Sequence, residues 1–144
     1  MRTTGEILAR KVKLGTVTID FKETILEAVR QMDKANTGSV VVLEGDRLVG
    51  IFTERDLMRR VVLKGLDVSS VRVEVVMTRD LAYAEPSDPG EEAMAKMTKH
   101  RCRHLPVVDG QRLVGVISIG DLIREMAEEQ TVEIQFLKEY IYSR

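Results

Sequence analysis

The sequence predicts an α+β fold built twice from one β-α-β-β-α unit, followed by a helical tail. Three observations predict it. The first is an internal repeat: residues 17–60 laid over 82–125, an ungapped offset of 65, give 13 identities in 44 pairs, where chance at ordinary composition gives roughly three. The best block sets EGDRLVGIFTERDL over DGQRLVGVISIGDL. The second is a switch of hydrophobic period inside each copy, from helical spacing to a β-branched run. The third is length. A chain of 144 residues holds one compact domain or two small repeats that share a core, and a repeat alone buries little. Two copies packed with pseudo-twofold symmetry satisfy all three.

The elements follow in order. A short strand around Val17–Ile19 opens the first copy. From Thr24 to Met32, apolar Ile25, Ala28, Val29 and Met32 recur at helical spacing. Ser39–Leu43 is a β-branched run that reads as a buried strand. Glu44-Gly45-Asp46 is a hairpin turn and Arg47–Phe52 the returning strand. Thr53 opens a second helix through about Leu63. The second copy repeats the order, with a short strand near Ala82–Ala84, a helix over Glu91–Lys99, strands at Leu105–Val108 and Arg112–Ile117 around Asp109-Gly110-Gln111, and a helix from Ser118. The expected organisation is a first repeat over 10–64, a connector over 65–80, a second repeat over 81–126 and a helical tail over 127–144. Ile134, Leu137 and Ile141 share one face of the tail, to pack either on the chain's own core or on a second copy.

Composition narrows the function classes. Lys+Arg is 22 against Asp+Glu 23, a net charge of -1, which lacks the basic excess of a general nucleic-acid binder. With no Trp, three Tyr and three Phe, a base-stacking surface is not expected. No apolar run approaches the ~20 residues of a membrane span. The N-terminal MRTTGEILARKVK has no apolar core of a secretory signal. One cysteine, Cys102, excludes an internal disulfide framework and fits a reducing, cytoplasmic setting. His100, Cys102 and His104 alternate as a metal trio would, but they lack a fourth ligand, and a phosphate-facing basic stretch accounts better for the arginines between them. No Ser-His-Asp set, P-loop or Gly-rich dinucleotide loop is present. A metal site and an enzymatic activity are therefore not expected.

Each copy ends in Gly-hydrophobic-x-(Thr/Ser)-x-x-Asp: Gly50-Ile-Phe-Thr53-Glu-Arg-Asp56 and Gly115-Val-Ile-Ser118-Ile-Gly-Asp121. Two such signatures in a duplicated β-α-β-β-α unit resemble a tandem pair of CBS (cystathionine β-synthase) domains, the Bateman module, over about residues 10–125. The resemblance implies a stand-alone regulatory module. Its expected ligand is an adenosine nucleotide (AMP, ADP or ATP) held in the cleft between the repeats as a regulatory ligand, not a cofactor. S-adenosylmethionine and NAD are the alternatives.

The chemistry of the signature agrees. A Thr or Ser where a strand hands over to a helix caps the first turn, beside outward-pointing N–H groups. The Asp three residues on only accepts hydrogen bonds. It suits the two neighbouring hydroxyls of a ribose and repels phosphate. The same spacing is also a capping box, which many helices use for stability alone.

The copies differ just before the central strand. The second has His100-Arg-Cys-Arg-His104-Leu-Pro-Val107, and the first has Ala35-Asn-Thr-Gly-Ser39-Val-Val-Val42. By the resemblance, Arg103 and His104 meet phosphate, with Ser118 and Asp121 on the ribose. A structural role for His104 stays open, as does the occupancy of either pocket. The first pocket has Ser39, Thr53, Arg55 and Asp56. The family pattern has residues ahead of each unit close the opposite pocket: Lys13 and Thr16 at Asp121, Thr78 and Arg79 at Asp56. Backbone near Val17 and Ala82, and apolar Pro106 and Ile117, would hold adenine. The competing reading is a ligand-free dimerisation module that pairs through helix faces carrying Leu26 and Val29. A third, nucleic-acid binding through Lys99, Arg101 and Arg103, is opposed by the neutral charge. Expected partners are a second copy and a regulated protein that the sequence does not name.

Overall fold

The computed structural model describes residues 1–11 and 17–142. Along the chain run α1 (Thr4–Ala9), β1 (Thr18–Asp20), α2 (Ile25–Ala35), β2 (Ser39–Glu44), β3 (Arg47–Thr53), α3 (Glu54–Asp56), α4 (Gly90–His100), β4 (His104–Asp109), β5 (Arg112–Ser118) and α5 (Ile119–Tyr142). The chain divides into two compact units. One holds the described residues of 14–81 and 110–113; the other holds those of 1–13, 82–109 and 114–144. The N-terminal segment thus belongs with the second repeat.

In the unit of the first repeat, β1 pairs parallel with β2, and β2 pairs antiparallel with β3, with a bulge at Val42/Leu43. Helix α2 starts at Thr24, whose hydroxyl accepts the Glu27 N–H at 3.2 Å. It ends at Asn36 in the left-handed conformation (φ 52°), which Asn tolerates well. The core is Ile19, Ile25, Ala28, Met32, Val40, Val42, Phe52, Val61, Val73, Val76 and Met77. Three of these come from the expected connector, so that segment is a piece of the core. It makes a 3₁₀ turn at Val73–Val75 and then runs beside β3, where Ile51 and Thr78 exchange backbone hydrogen bonds of 3.0 and 2.8 Å.

In the unit of the second repeat, β5 is hydrogen-bonded to β4. Helix α4 ends at Arg101, the offset equivalent of Asn36 and also left-handed (φ 54°). The core is Ile7, Ala84, Ala93, Met97, Leu105, Val107, Ile117 and Leu122. The pairs Ile19/Ala84, Ala28/Ala93, Met32/Met97, Val40/Leu105, Val42/Val107 and Phe52/Ile117 keep the offset of the repeat, so the duplication is a duplication of core positions.

The structure also differs from the sequence reading in its helices and strands. The strand expected near Ala82–Ala84 narrows to one bridge, Ala84 to Val107, because the chain meets β4 only there. The helix expected from Thr53 to Leu63 starts as α3 and continues over Leu57–Val62 as a π-helix, a form that often marks functional positions. Helix α1 was not expected at all: its six residues are held by a capping box between Thr3 and Glu6 and by Ile7 in the core. The tail is one continuous helix from Ile119, and its residues 127–142 are exposed, so it does not pack on its own core. No described helix is long and apolar enough to cross a membrane.

Candidate functional site

Each signature forms a corner where a strand turns into a helix. At the end of β3, the Thr53 N–H donates to the Asp56 carboxylate at 3.1 Å, and the Thr53 hydroxyl accepts the Asp56 N–H at 3.2 Å. At the end of β5, the Ser118 N–H donates to Asp121 at 2.8 Å, and the Ser118 hydroxyl accepts the Asp121 N–H at 3.1 Å. Both corners are therefore reciprocal capping boxes. The strand entrance fastens each one from behind: the Gly38 carbonyl accepts from Glu54 N–H at 3.0 Å, and the Arg103 carbonyl accepts from Ile119 N–H at 2.8 Å. Those contacts are also one offset apart, so the Gly38–Ser39 and Arg103–His104 pairs stand at equivalent strand entrances.

The glycine of the signature has a steric role. A Cβ on Gly50 would lie 2.6 Å from the Met77 sulfur and 3.0 Å from the Thr78 carbonyl oxygen. A Cβ on Gly115 would lie 3.1 Å from the end of Leu8. In each unit the missing side chain lets a segment remote in sequence cross the strand close to the acid. In the first, that segment delivers Thr78, whose hydroxyl donates to both Asp56 oxygens at 3.1 and 3.2 Å. In the second, it delivers Lys11, whose ammonium lies 3.0 Å from Asp121 and donates to the Val116 carbonyl at 3.1 Å.

Both acids are buried, at 6% and 5% exposure, yet their partners differ in charge. Asp56 takes hydroxyl and backbone donors, with the Arg60 guanidinium at 3.6 Å. Asp121 takes two cations, Lys11 and Arg124. Burial alone would raise the Asp121 pKa, but the Ser118 N–H and the Lys11 ammonium outweigh it and hold the carboxyl below its ordinary value. The neighbouring His104 imidazole is lowered, first by burial and then by Lys11, with Asp121 pulling the other way.

The other expected residues fall as follows. The Thr78 hydroxyl meets Asp56, whereas Arg79 donates to the Glu74 carbonyl. Lys13 and Thr16 lie outside the described residues. The Val17 carbonyl is taken by Val41 N–H at 3.0 Å. Arg55 and Arg103 are exposed, and Ser39, Thr53, His104 and Ser118 half-buried. Pro106 and Ile117 are fully buried, and the Pro106 carbonyl is taken by Ala84 N–H, so neither offers an open face from within its unit. Burial raises the Cys102 thiol pKa.

Sequence reasoning missed Lys11, Arg60 and Arg124. The two arginines were readable as cations one turn beyond an acid, at i+4 and i+3. Lys11 carried no such signal, because only the fold brings it to Asp121. A wide groove of about 970 Å³ lies between Arg2 and Arg10 at the two ends of α1 and Val132 and Phe136 of α5, and Arg124, the partner of Asp121, also lines it.

Residues 5–63 and 71–128 each match the CBS domain family, and the chain belongs to that family. It is 36% identical over 124 residues to the mitochondrial CBS domain-containing protein CBSX3 of Arabidopsis thaliana, covering 83% of this chain and 60% of that relative's length. It resembles the structure of a candidate signal-transduction protein with CBS domains from Burkholderia ambifaria, at 40% identity and TM-score 0.78, covering 89% of this chain and 96% of that one. A CBS domain protein of Pyrobaculum aerophilum, solved in complex with AMP, is 28% identical with TM-score 0.73, over 88% and 98% of the two chains. A CBS domain pair solved with 5′-methylthioadenosine and S-adenosyl-L-methionine is 25% identical with TM-score 0.71, over 86% and 98%.

Proposed function

We propose that this chain is a cytoplasmic, non-catalytic regulatory module that binds an adenosine nucleotide (AMP, ADP or ATP) at its helix-start acids. It acts as a homodimer that alters the activity of a separate protein. The observation that carries this reading is the Asp121 corner. A buried acceptor sits at the start of a helix, with Lys11 and Arg124 on its oxygens and with His104 and the Arg103 backbone at the adjoining strand entrance. Support comes from family membership and from the AMP and S-adenosylmethionine carried by structural relatives.

The chemistry works by exchange. Ribose hydroxyls donate to Asp121 in place of a cation, and the released Lys11 or Arg124 turns to phosphate, where Arg103 adds a second charge. Lys11 follows directly on α1, and Arg124 lies on α5, so the exchange moves both helices. Regulation then requires only that the nucleotide prefer one arrangement of them over the other. At the Asp56 corner, Thr78 and Arg60 take the corresponding places, with Ser39 and Arg55 nearby. Fewer cations there make it the weaker phosphate site.

The test is titration calorimetry with AMP, ADP, ATP and S-adenosylmethionine on the wild type, Asp121→Ala and Arg103→Ala. The expected result is nucleotide binding that Asp121→Ala abolishes at one site and Arg103→Ala weakens about tenfold. Binding of S-adenosylmethionine alone, indifferent to Arg103→Ala, would move the assignment to that ligand. Binding unchanged in both variants, or no binding of any adenosine compound, removes the site.

A further inference from the structure

Helix α5 presents two faces. Near its start it buries Asp121, Leu122 and Glu125 against its own unit. On the opposite side, Ile123, Ala127, Gln130, Ile134, Leu137 and Ile141 follow one another at alternating spacings of four and three, the signature of a two-helix seam. The large apolar members of that row are open to solvent: Ile123 56%, Ile134 53%, Leu137 51% and Ile141 61%. Residues 127–142 are all exposed. The stretch is tied to its own unit near its start, where Glu128 pairs with Arg10 and Glu129 with the N-terminal amine, and an exposed apolar row of this kind marks a binding face.

We propose that this row is the dimer interface, and that its occupant is α5 of a second copy, lying parallel and in register. The charges beside the row select that occupant. With Ile134 and Ile141 at the first seam position and Leu137 at the second, Glu133 and Lys138 fall on the two flanks. They are five residues apart, so in a parallel pair each Glu133 stands beside the partner helix's Lys138. Within the chain, neither forms an ion pair with another described residue. An antiparallel pair sets like flanks side by side and does not form this contact. Gln130, polar within the row, meets its own copy only in the parallel register, where the two amides can bond to each other.

The row is short, about three heptads, so the association depends on concentration. Because α5 also carries Asp121 in its first turn and Arg124 in its second, the same helix would join the nucleotide corner to the dimer. The proposal rests on the homodimer part of the preceding reading and is independent of the nucleotide.

Sedimentation equilibrium of the full chain tests it. The wild type is expected to be a dimer, and Leu137→Glu to weaken dimerisation about tenfold or more. The thermal unfolding of the two repeats should be unchanged, since Leu137 touches neither core. Glu133→Lys alone is expected to weaken the dimer, and Glu133→Lys with Lys138→Glu to restore it. A dimer indifferent to Leu137→Glu overturns the seam while leaving the homodimer reading in place, with the α2 face as its site. A wild type that stays monomeric overturns both. Loss with Leu137→Glu but no rescue by the double reversal overturns the parallel register.

Discussion

The Lys11 ammonium lies 3.0 Å from the Asp121 carboxylate, 110 positions away in sequence, and also donates to the carbonyl of Val116 on the strand that leads to that acid. The corresponding acid of the first repeat, Asp56, receives the Thr78 hydroxyl instead. One scaffold thus holds two acids, one facing the Lys11 ammonium and one receiving a neutral hydroxyl in its place.

Lys11→Met should destabilise the protein by about 1–3 kcal/mol, because it leaves a buried carboxylate short of a partner. The Asp121 pKa is lowered in the folded state. Its contribution is therefore present above the unfolded carboxyl value and is lost as pH falls through the folded one. Urea unfolding at neutral and acid pH checks this. The variant's deficit should be largest near neutrality and shrink as Asp121 protonates; an equal deficit at every pH would remove the pair.

His104 titrates in a separate window. Its folded pKa lies below the ordinary imidazole value, so the unfolded chain takes up the proton first. Above about pH 6.5 both states are neutral and the residue adds no slope. As pH falls from there towards the folded pKa, stability should drop. His104→Gln should flatten that part of the curve, as read by melting temperature in steps from pH 8 to pH 5.

Gly50→Ala and Gly115→Ala should not cost the same. The first places a methyl 2.6 Å from the Met77 sulfur and 3.0 Å from backbone oxygen, so the Thr78 segment must shift; the second meets only the flexible end of Leu8. Overpacking of this kind costs about 1–3 kcal/mol. Gly50→Ala should fall in that range and Gly115→Ala below it. Denaturant midpoints of the two variants decide the order.

Glu125 is buried at 5% exposure and pairs with Arg2 and Arg10, at the two ends of α1. Glu125→Ala should loosen α1 from α5. Hydrogen exchange should speed up at the amides of Ile7 and Arg10 while those of α2 stay protected.

Much of the fold was legible because a repeat exposes its own constraints. A core position that recurs 65 residues later at Ala28/Ala93, Met32/Met97 and Val42/Val107 is set by local period and turn chemistry, which the sequence carries directly. The Thr53–Asp56 and Ser118–Asp121 corners were legible for the same reason, since a capping box closes within one helical turn.

What only tertiary structure decided is how remote segments come to stand across from those acids. Lys11 reaches Asp121, and Thr78 reaches Asp56, because Gly50 and Gly115 leave room for a distant segment to cross the strand, and neither spacing nor composition encodes such a crossing. The tail follows the same division: the four-three spacing of its apolar row is written in the residues, but its exposure follows from α5 burying the opposite face on its own unit. Short-range hydrogen-bond and periodicity rules act within a turn or a strand, whereas steric passage and burial depend on where remote segments come to rest.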